Sequence, residues 1–223
     1  MSIDVTVVRV FTDRQGGLGN PLGIVSASEV GEPDRQALAA ELGFSETVFV
    51  TPGANGRAAA AIYTPAVQLP FAGHPTVGVS WWLRERGTTI DTLSVPAGDV
   101  SIRYDEDLTW VRAAASWTPD FVFHEVASPR EVQAADPSVF AGGNHYVWAW
   151  ADETAGTIRS RMFAPEMGIV EDEATGAAAV RITDALGRDL VIEQGRGSTL
   201  VTTLNGQWIE LGGRTVADRT FSV

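Results

Sequence analysis

Glu46, His74 and Asp172 are the residues whose types and settings could serve proton transfer, and Asn20 could hold a ligand. Glu46 lies between Ser45 and Thr47, at the head of an apolar run. It reads either as a solvated carboxylate at a strand end or as a carboxylate held rigidly at a cleft. In the second case partial burial raises its pKa toward the range useful for proton transfer. His74 sits in Gly73-His-Pro75, as a structural histidine or as a proton shuttle and donor to a substrate carboxylate. Asp172 is flanked by Glu171 and Glu173 ahead of an apolar stretch. Three acids there could serve a helix dipole, or one could face Glu46 or His74 across a cleft. Asn20 ends a glycine-rich segment, as a turn residue or a ligand donor.

Other chemistries are closed off by composition. The chain has no cysteine, which removes disulfides, thiolate nucleophiles and thiolate metal sites. His124 and His145 are isolated, and no spacing resembles a metal site. No metal site is expected. The segment at residues 12–20 lacks the Lys-Ser/Thr of a P-loop and the glycine spacing of a dinucleotide fold. A net charge of −12 disfavours nucleic acid and anionic membranes as partners. It leaves room for a small anionic organic ligand seated at helix ends. The tryptophans have no basic neighbours suited to a stacking platform and read as packing. No signal peptide and no membrane-length run is seen, so a cytoplasmic protein is expected.

The elements that position these residues follow from punctuation and periodicity. After His74, Pro75 suits a first helical turn. Val77, Val79, Trp81, Trp82 and Leu83 leave no polar face before Arg84, and Gly87 can end the helix. A helix apolar all round must be covered on every side. Its free N–H groups make a seat for an anion such as a carboxylate. A second such helix is expected after Thr175-Gly176, closed by Gly187. Around the two helices the chain reads as short strands: residues 5–11, 21–25, 45–51 and 57–63, with 144–150 and 157–163 repeating the last two. Pro33 and the Ser128-Pro-Arg-Glu131 capping box open short helices. Asn205-Gly206 is the strongest hairpin signal.

These matches share one register. Thr76 and Thr175, Gly87 and Gly187, residues 45–49 and 144–148, and residues 63–65 and 163–165 all recur after 99 or 100 positions. That spacing indicates a duplicated unit. The expected fold is α+β: two pseudo-symmetric domains, each a mostly antiparallel sheet wrapped around a central helix, with a cleft between them. The expected domains are residues 1–115 and 116–223, divided in the alanine-rich stretch 113–119, with the option that the last strand returns to the first domain.

The sequence resembles the phenazine-biosynthesis PhzF family, relatives of diaminopimelate epimerase. The motifs are Val10-Phe-Thr-Asp13 with Gly19-Asn-Pro21, Phe44-Ser-Glu-Thr-Val-Phe-Val50, Leu69-Pro-Phe-Ala-Gly-His-Pro-Thr76, Glu171-Asp-Glu-Ala-Thr-Gly176, and Gln194-Gly195 with Gly197-Ser198. The resemblance implies a diaminopimelate epimerase-like fold, a homodimer, and an interdomain active site with Glu46 as acid/base and His74 and Asp172 beside it. It implies a cofactor-independent isomerase moving a proton within a small cyclic or unsaturated amino or hydroxy carboxylic acid. Asn20, Ser45, Gly73, Thr76, Thr175, Gly176 and Ala177 are the expected substrate contacts. Without cysteine the two-thiol stereoinversion of related epimerases is not available, and one carboxylate acting on one face suits an allylic shift. Two departures stand out. Glu173 replaces the family's proline, and Ala177 replaces a serine that offers the substrate a hydroxyl. The alternative is a non-catalytic acid-binding protein on the same fold.

Overall fold

In the computed structural model, which describes residues 2–165 and 169–223, strand β1 (Asp4–Val10) shows how the sequence makes two layers. Its Val5 and Val7 join one apolar cluster and its Val8 and Val10 another, on opposite sides of the sheet. A strand buried on both faces needs this near-continuous β-branched run. β1 pairs with β2 (Asn20–Ser26), which runs parallel to β3 (Thr47–Pro52). β4 (Arg57–Tyr63) returns beside β3 and carries the short β5 (Gln68–Leu69). Helix α1 (Arg35–Leu42) covers the outer cluster, with Val5, Val7 and Phe49 against Leu38 and Ala39.

Helix α2 (Gly73–Glu85) is the first central helix, buried along residues 73–80. It begins earlier than Pro75, which occupies the third helical position. Proline is tolerated there because first-turn N–H groups have no helical acceptor. Strands β6 (Thr92–Val95), β7 (Gly98–Asp105) and β8 (Leu108–Ala113) finish the wrap.

The second half repeats the plan. β9 (Val122–Glu125) runs parallel to β10 (His145–Asp152), and β11 (Thr157–Ala164) carries the short β12 (Ile169–Asp172). Helix α3 (Pro129–Ala134) covers the outer face, opened by Ser128 as its N-cap: the Glu131 amide donates to Ser128 Oγ, while Glu131 Oε2 accepts the amide of Ala127, one residue before the cap, rather than that of Ser128 as a capping box would. Helix α4 (Gly176–Leu186) is the second central helix. β13 (Leu190–Gln194), β14 (Ser198–Asn205) and β15 (Trp208–Gly213) complete it. The β14–β15 turn falls on Gly206 and Gln207, one residue later than the Asn-Gly signal placed it, because Asn205 pairs with Trp208.

One hydrogen-bonded path runs through both halves, joined where β8 pairs antiparallel with β15. In that register Val111 faces Leu211, its own counterpart 100 residues on. The pseudo-twofold axis therefore passes between these two residues. The main apolar core is continuous across the join, from Val8 and Val77 to Val180 and Ile182. Strand β16 (Thr215–Ser222) returns to pair with β1 at the far edge.

Candidate active site at the join of the two halves

The two central helices meet at their N-termini. Their N-caps are Ala72 and Thr175, neither with a side-chain hydrogen bond to the helix. A Cβ on Gly73 would lie 3.1 Å from Gly176 Cα, and one on Gly176 would lie 2.9 Å from Gly73 Cα and from the His74 amide nitrogen. Only hydrogen at both positions allows this approach. Both helices thus point their unpaired first-turn N–H groups at one place.

That place borders a cavity of about 360 Å³, lined from both halves. Ser45 and Glu46 enter from the head of β3, and residues 69–72 from the lead into α2. Trp117, Thr118, Pro119 and Phe121 come from the connection between the halves, with Asn144 and Met162 beyond them. Ile169, Asp172, Thr175 and Ala177 close the other side. A larger recess of about 750 Å³ shares Ser45, Ile169 and Asp172 but not Glu46. The smaller cavity is therefore the one that holds both carboxylates. Its ionisable lining is Glu46 and Asp172 alone among the described residues. All 16 basic residues of the chain are arginine, so no lysine is available as a base or imine-former.

Glu46 is 17% exposed at its side chain, and His74 stands behind it at 3%. His74 Nδ1 lies 3.0 Å from Glu46 Oε2, and Nε2 lies 3.1 Å from the Asn20 carbonyl oxygen. A carbonyl only accepts, so Nε2 carries a hydrogen. The other contact then needs one proton between Nδ1 and Oε2, either as imidazolium and carboxylate or as imidazole and carboxylic acid. Burial is the largest single influence on Glu46 and pushes its pKa up. The hydrogen bond and charge of His74, with a smaller contribution from Ser45, outweigh it and leave the pKa below the ordinary value. The Ser45 hydroxyl is buried and makes no hydrogen bond of good geometry, in a residue that lines the cavity.

Across the cavity, the three acids of residues 171–173 are sorted by their partners. Arg161 holds Glu171 through both oxygens at 2.8 and 2.7 Å. Arg196 pairs with Glu173 at 3.1 Å. Asp172 has no arginine. Its Oδ1 accepts from Asn20 Nδ2 at 2.7 Å and its Oδ2 from Thr175 Oγ1 at 2.6 Å. Burial first, and then the nearby Glu46 charge, raise its pKa to about 6 against the lowering by Thr175, His74 and Asn20.

Glu46, His74 and Asp172 are thus brought together, with Asn20 as the bridge. Its carbonyl receives His74 and its amide holds Asp172 and the Ala174 carbonyl. Of the residues expected to touch substrate, Ser45, Thr175 and Ala177 line the cavity. Gly73 and Gly176 lie behind that wall at the helix starts, and Asn20 opens on the larger recess instead. Thr76 does not reach the site: it is fully buried inside α2, its hydroxyl donating to the Ala72 carbonyl at 2.7 Å. His74 likewise has both ring nitrogens occupied by protein and cannot donate to a substrate carboxylate in this arrangement.

Sequence reasoning missed Gln194, which is fully buried beneath the α4 start. Its Nε2 donates to the Asp172 carbonyl and to Thr175 Oγ1, and its Oε1 accepts the Thr175 amide. The Gln194-Gly195 motif marked the position without giving its role. The aromatic wall at Trp117 and Phe121 was missed too, because that segment read only as a boundary.

The model of the PhzC-PhzF family, phenazine biosynthesis-like proteins, matches residues 8–116 and 109–214. The chain belongs to this family. The trans-2,3-dihydro-3-hydroxyanthranilate isomerase of Pseudomonas chlororaphis is 29% identical over 87% of this chain and 82% of its own length. The Pseudomonas aeruginosa protein of that name is 27% identical with the same coverage. Among solved structures, a phenazine biosynthesis protein of the PhzF family from Enterococcus faecalis superposes with a TM-score of 0.82 at 18% identity, covering 100% of this chain and 99% of that one. A hydroxyproline epimerase from Agrobacterium vitis follows at a TM-score of 0.66 and 13% identity, covering 100% and 91%. The fold is that of the PhzF and proline-racemase-like proteins, and the kinship places this PhzF-family chain among isomerases.

Proposed function

We propose that the chain is a cofactor-independent isomerase that moves a proton within a small cyclic or unsaturated amino or hydroxy carboxylic acid, in the cavity between the halves. The observation that carries this reading is the Glu46–His74 pair facing Asp172 across a cavity bounded by two helix starts. The substrate carboxylate rests against the first-turn N–H groups, where the helix dipoles favour negative charge. The body of the substrate lies against Phe71, Trp117, Phe121 and Met162.

With the shared proton on His74, Glu46 is the free base. A Glu46 oxygen takes the proton from one substrate carbon, and the C–H electron pair moves into the neighbouring unsaturated system. The same oxygen returns the proton to the far carbon of that system, so atoms and charge balance without a second reactant. His74 stays bonded to Glu46 throughout, pinned by Asn20. Asp172, ionised above about pH 6, suits an amino or hydroxyl group of the substrate. The trans-2,3-dihydro-3-hydroxyanthranilate isomerase name of the Pseudomonas relatives agrees with this class of substrate. Ala177 offers no hydroxyl at the cavity, which argues for a substrate differing from theirs on that side.

The test is exchange in heavy water. Candidate acids are incubated with the protein or with Glu46→Gln, and proton NMR follows both deuterium uptake and product. The wild-type protein should incorporate deuterium and form an isomer, and the variant should be slower by about 10²–10⁴-fold. Equal rates in the two would remove Glu46 from its role. Binding seen in thermal shift with no exchange for any acid would favour a binding protein.

A further inference from the structure

Of the two acids that flank Asp172, neither takes part in the reaction, and Glu173 is not a surface charge. Its side chain is 15% exposed. Its Oε1 accepts from the Arg196 amide and from the Ser198 hydroxyl, each at 3.0 Å. Its Oε2 accepts from Arg196 Nε at 3.1 Å. Ser198, fully buried, in turn accepts the Gly19 amide at 3.1 Å. Gly19 leads directly into Asn20, whose amide holds Asp172. The bonds therefore close a ring: Glu173 to Ser198, to Gly19, to Asn20, to Asp172, and back along the chain to Glu173. The ring spans the join, since Gly19 and Asn20 belong to the first half and the others to the second. The fit at Gly195 is tight: a Cβ there would come 2.6 Å from the Glu173 carbonyl oxygen and 2.8 Å from Oε2.

We propose that Glu173 is a positioning residue for Asp172: it holds the turn between β13 and β14 against Gly19, which fixes the Asn20 amide on the Asp172 carboxylate. The charge on Glu173 matters less than its two acceptor oxygens. The partner that neutralises it, Arg196, is 75% exposed, and exposed ion pairs contribute little. The groups facing Asp172 are Asn20 and Thr175 as donors, Glu46 as a like charge and His74 as an opposite one. Removing the Asn20 donor disfavours the ionised carboxylate.

The experiment is a carbon-13 NMR titration of the Asp172 carboxyl in the ligand-free protein. In the wild-type protein the midpoint is expected at about 6. Glu173→Ala should raise it. Glu173→Gln keeps an acceptor for Ser198 and the Arg196 amide and should leave it in place, as should Arg196→Ala. Ser198→Ala breaks the ring from the other side and should act like Glu173→Ala, so the test stands if one variant fails to fold. An unmoved midpoint in both alanine variants overturns the proposal. So does a Glu173→Gln midpoint displaced as far as that of Glu173→Ala, which would show that an acceptor at this position is not what holds Asn20 on Asp172. The titration needs no substrate, so failure of the isomerase reading would appear separately, as absence of heavy-water exchange.

Discussion

A single hydrogen separates Glu46 from His74, and its placement sets how the site responds to pH. Burial alone pushes the Glu46 pKa up, and His74 is what reverses that. Replacing His74 with Asn should therefore raise the Glu46 pKa, so that the base form appears only at higher pH. In kcat/KM profiles for an acid that exchanges, the acidic limb should move upward; an unmoved limb would mean that Glu46 is not the group it reports. Asp172 works in the opposite sense for stability. Its folded pKa of about 6 exceeds the ordinary aspartate value of 3.8. The folded state thus holds a proton that the unfolded chain gives up between those values. Stability falls as pH rises through that window, by an amount on the order of 2–3 kcal/mol. Asp172→Asn should abolish this part of the slope, seen as a smaller loss of urea-unfolding free energy between pH 4 and pH 7. Glu46, whose pKa is lowered, contributes in the other direction: its stabilisation is present above the ordinary glutamate value of 4.5 and lost on acidification. Which of three adjacent acids would be left without an arginine was not legible in the sequence. It depends on Arg161 lying one strand away from Glu171, and Arg196 in a turn closing on Glu173.

At the scale of elements, the site depends on how closely two helices can start. Gly176→Ala puts a methyl 2.8 Å from Leu211 Cδ2 and 2.9 Å from backbone of the other helix. Overpacking of this kind costs about 1–3 kcal/mol. It should lower the denaturant midpoint and weaken carboxylate binding together. A loss of stability with binding intact would show that the helix starts are not the anion seat. The two central helices were legible from their apolar runs and from the glycines that follow them, Gly87 and Gly187, which are 100 residues apart. Their beginnings were not. α2 is 13 residues long and α4 is 11. Thr76 therefore lies inside the first turn of α2, while Thr175 caps α4. Proline at position 75 fits any place in a first turn and could not locate the start. The stretch at residues 113–119 read only as a domain boundary, so its place in the cavity wall was not legible: Trp117 packs edge-on against Phe71 at 5.7 Å and lines the cavity.

For the molecule as a whole, the repeat is visible in sequence, but the join is not. β8 and β15 pair about an axis at Val111 and Leu211, and the core passes through it. Leu211 is fully buried and also touches both helix starts. Leu211→Ala should cost about 2–5 kcal/mol. Because one core serves both halves, urea unfolding should remain a single transition in tryptophan fluorescence and circular dichroism. Two separated transitions would show that the halves are independent units. The pairing of β16 with β1 joins residues as far apart as Asp4 and Ser222. Contacts of such long sequence separation slow folding. During synthesis on the ribosome, β1 exposes one unpaired edge until nearly the whole chain has emerged, and open edges invite wrong pairing. The order of translation thus makes the earliest strand wait for the latest.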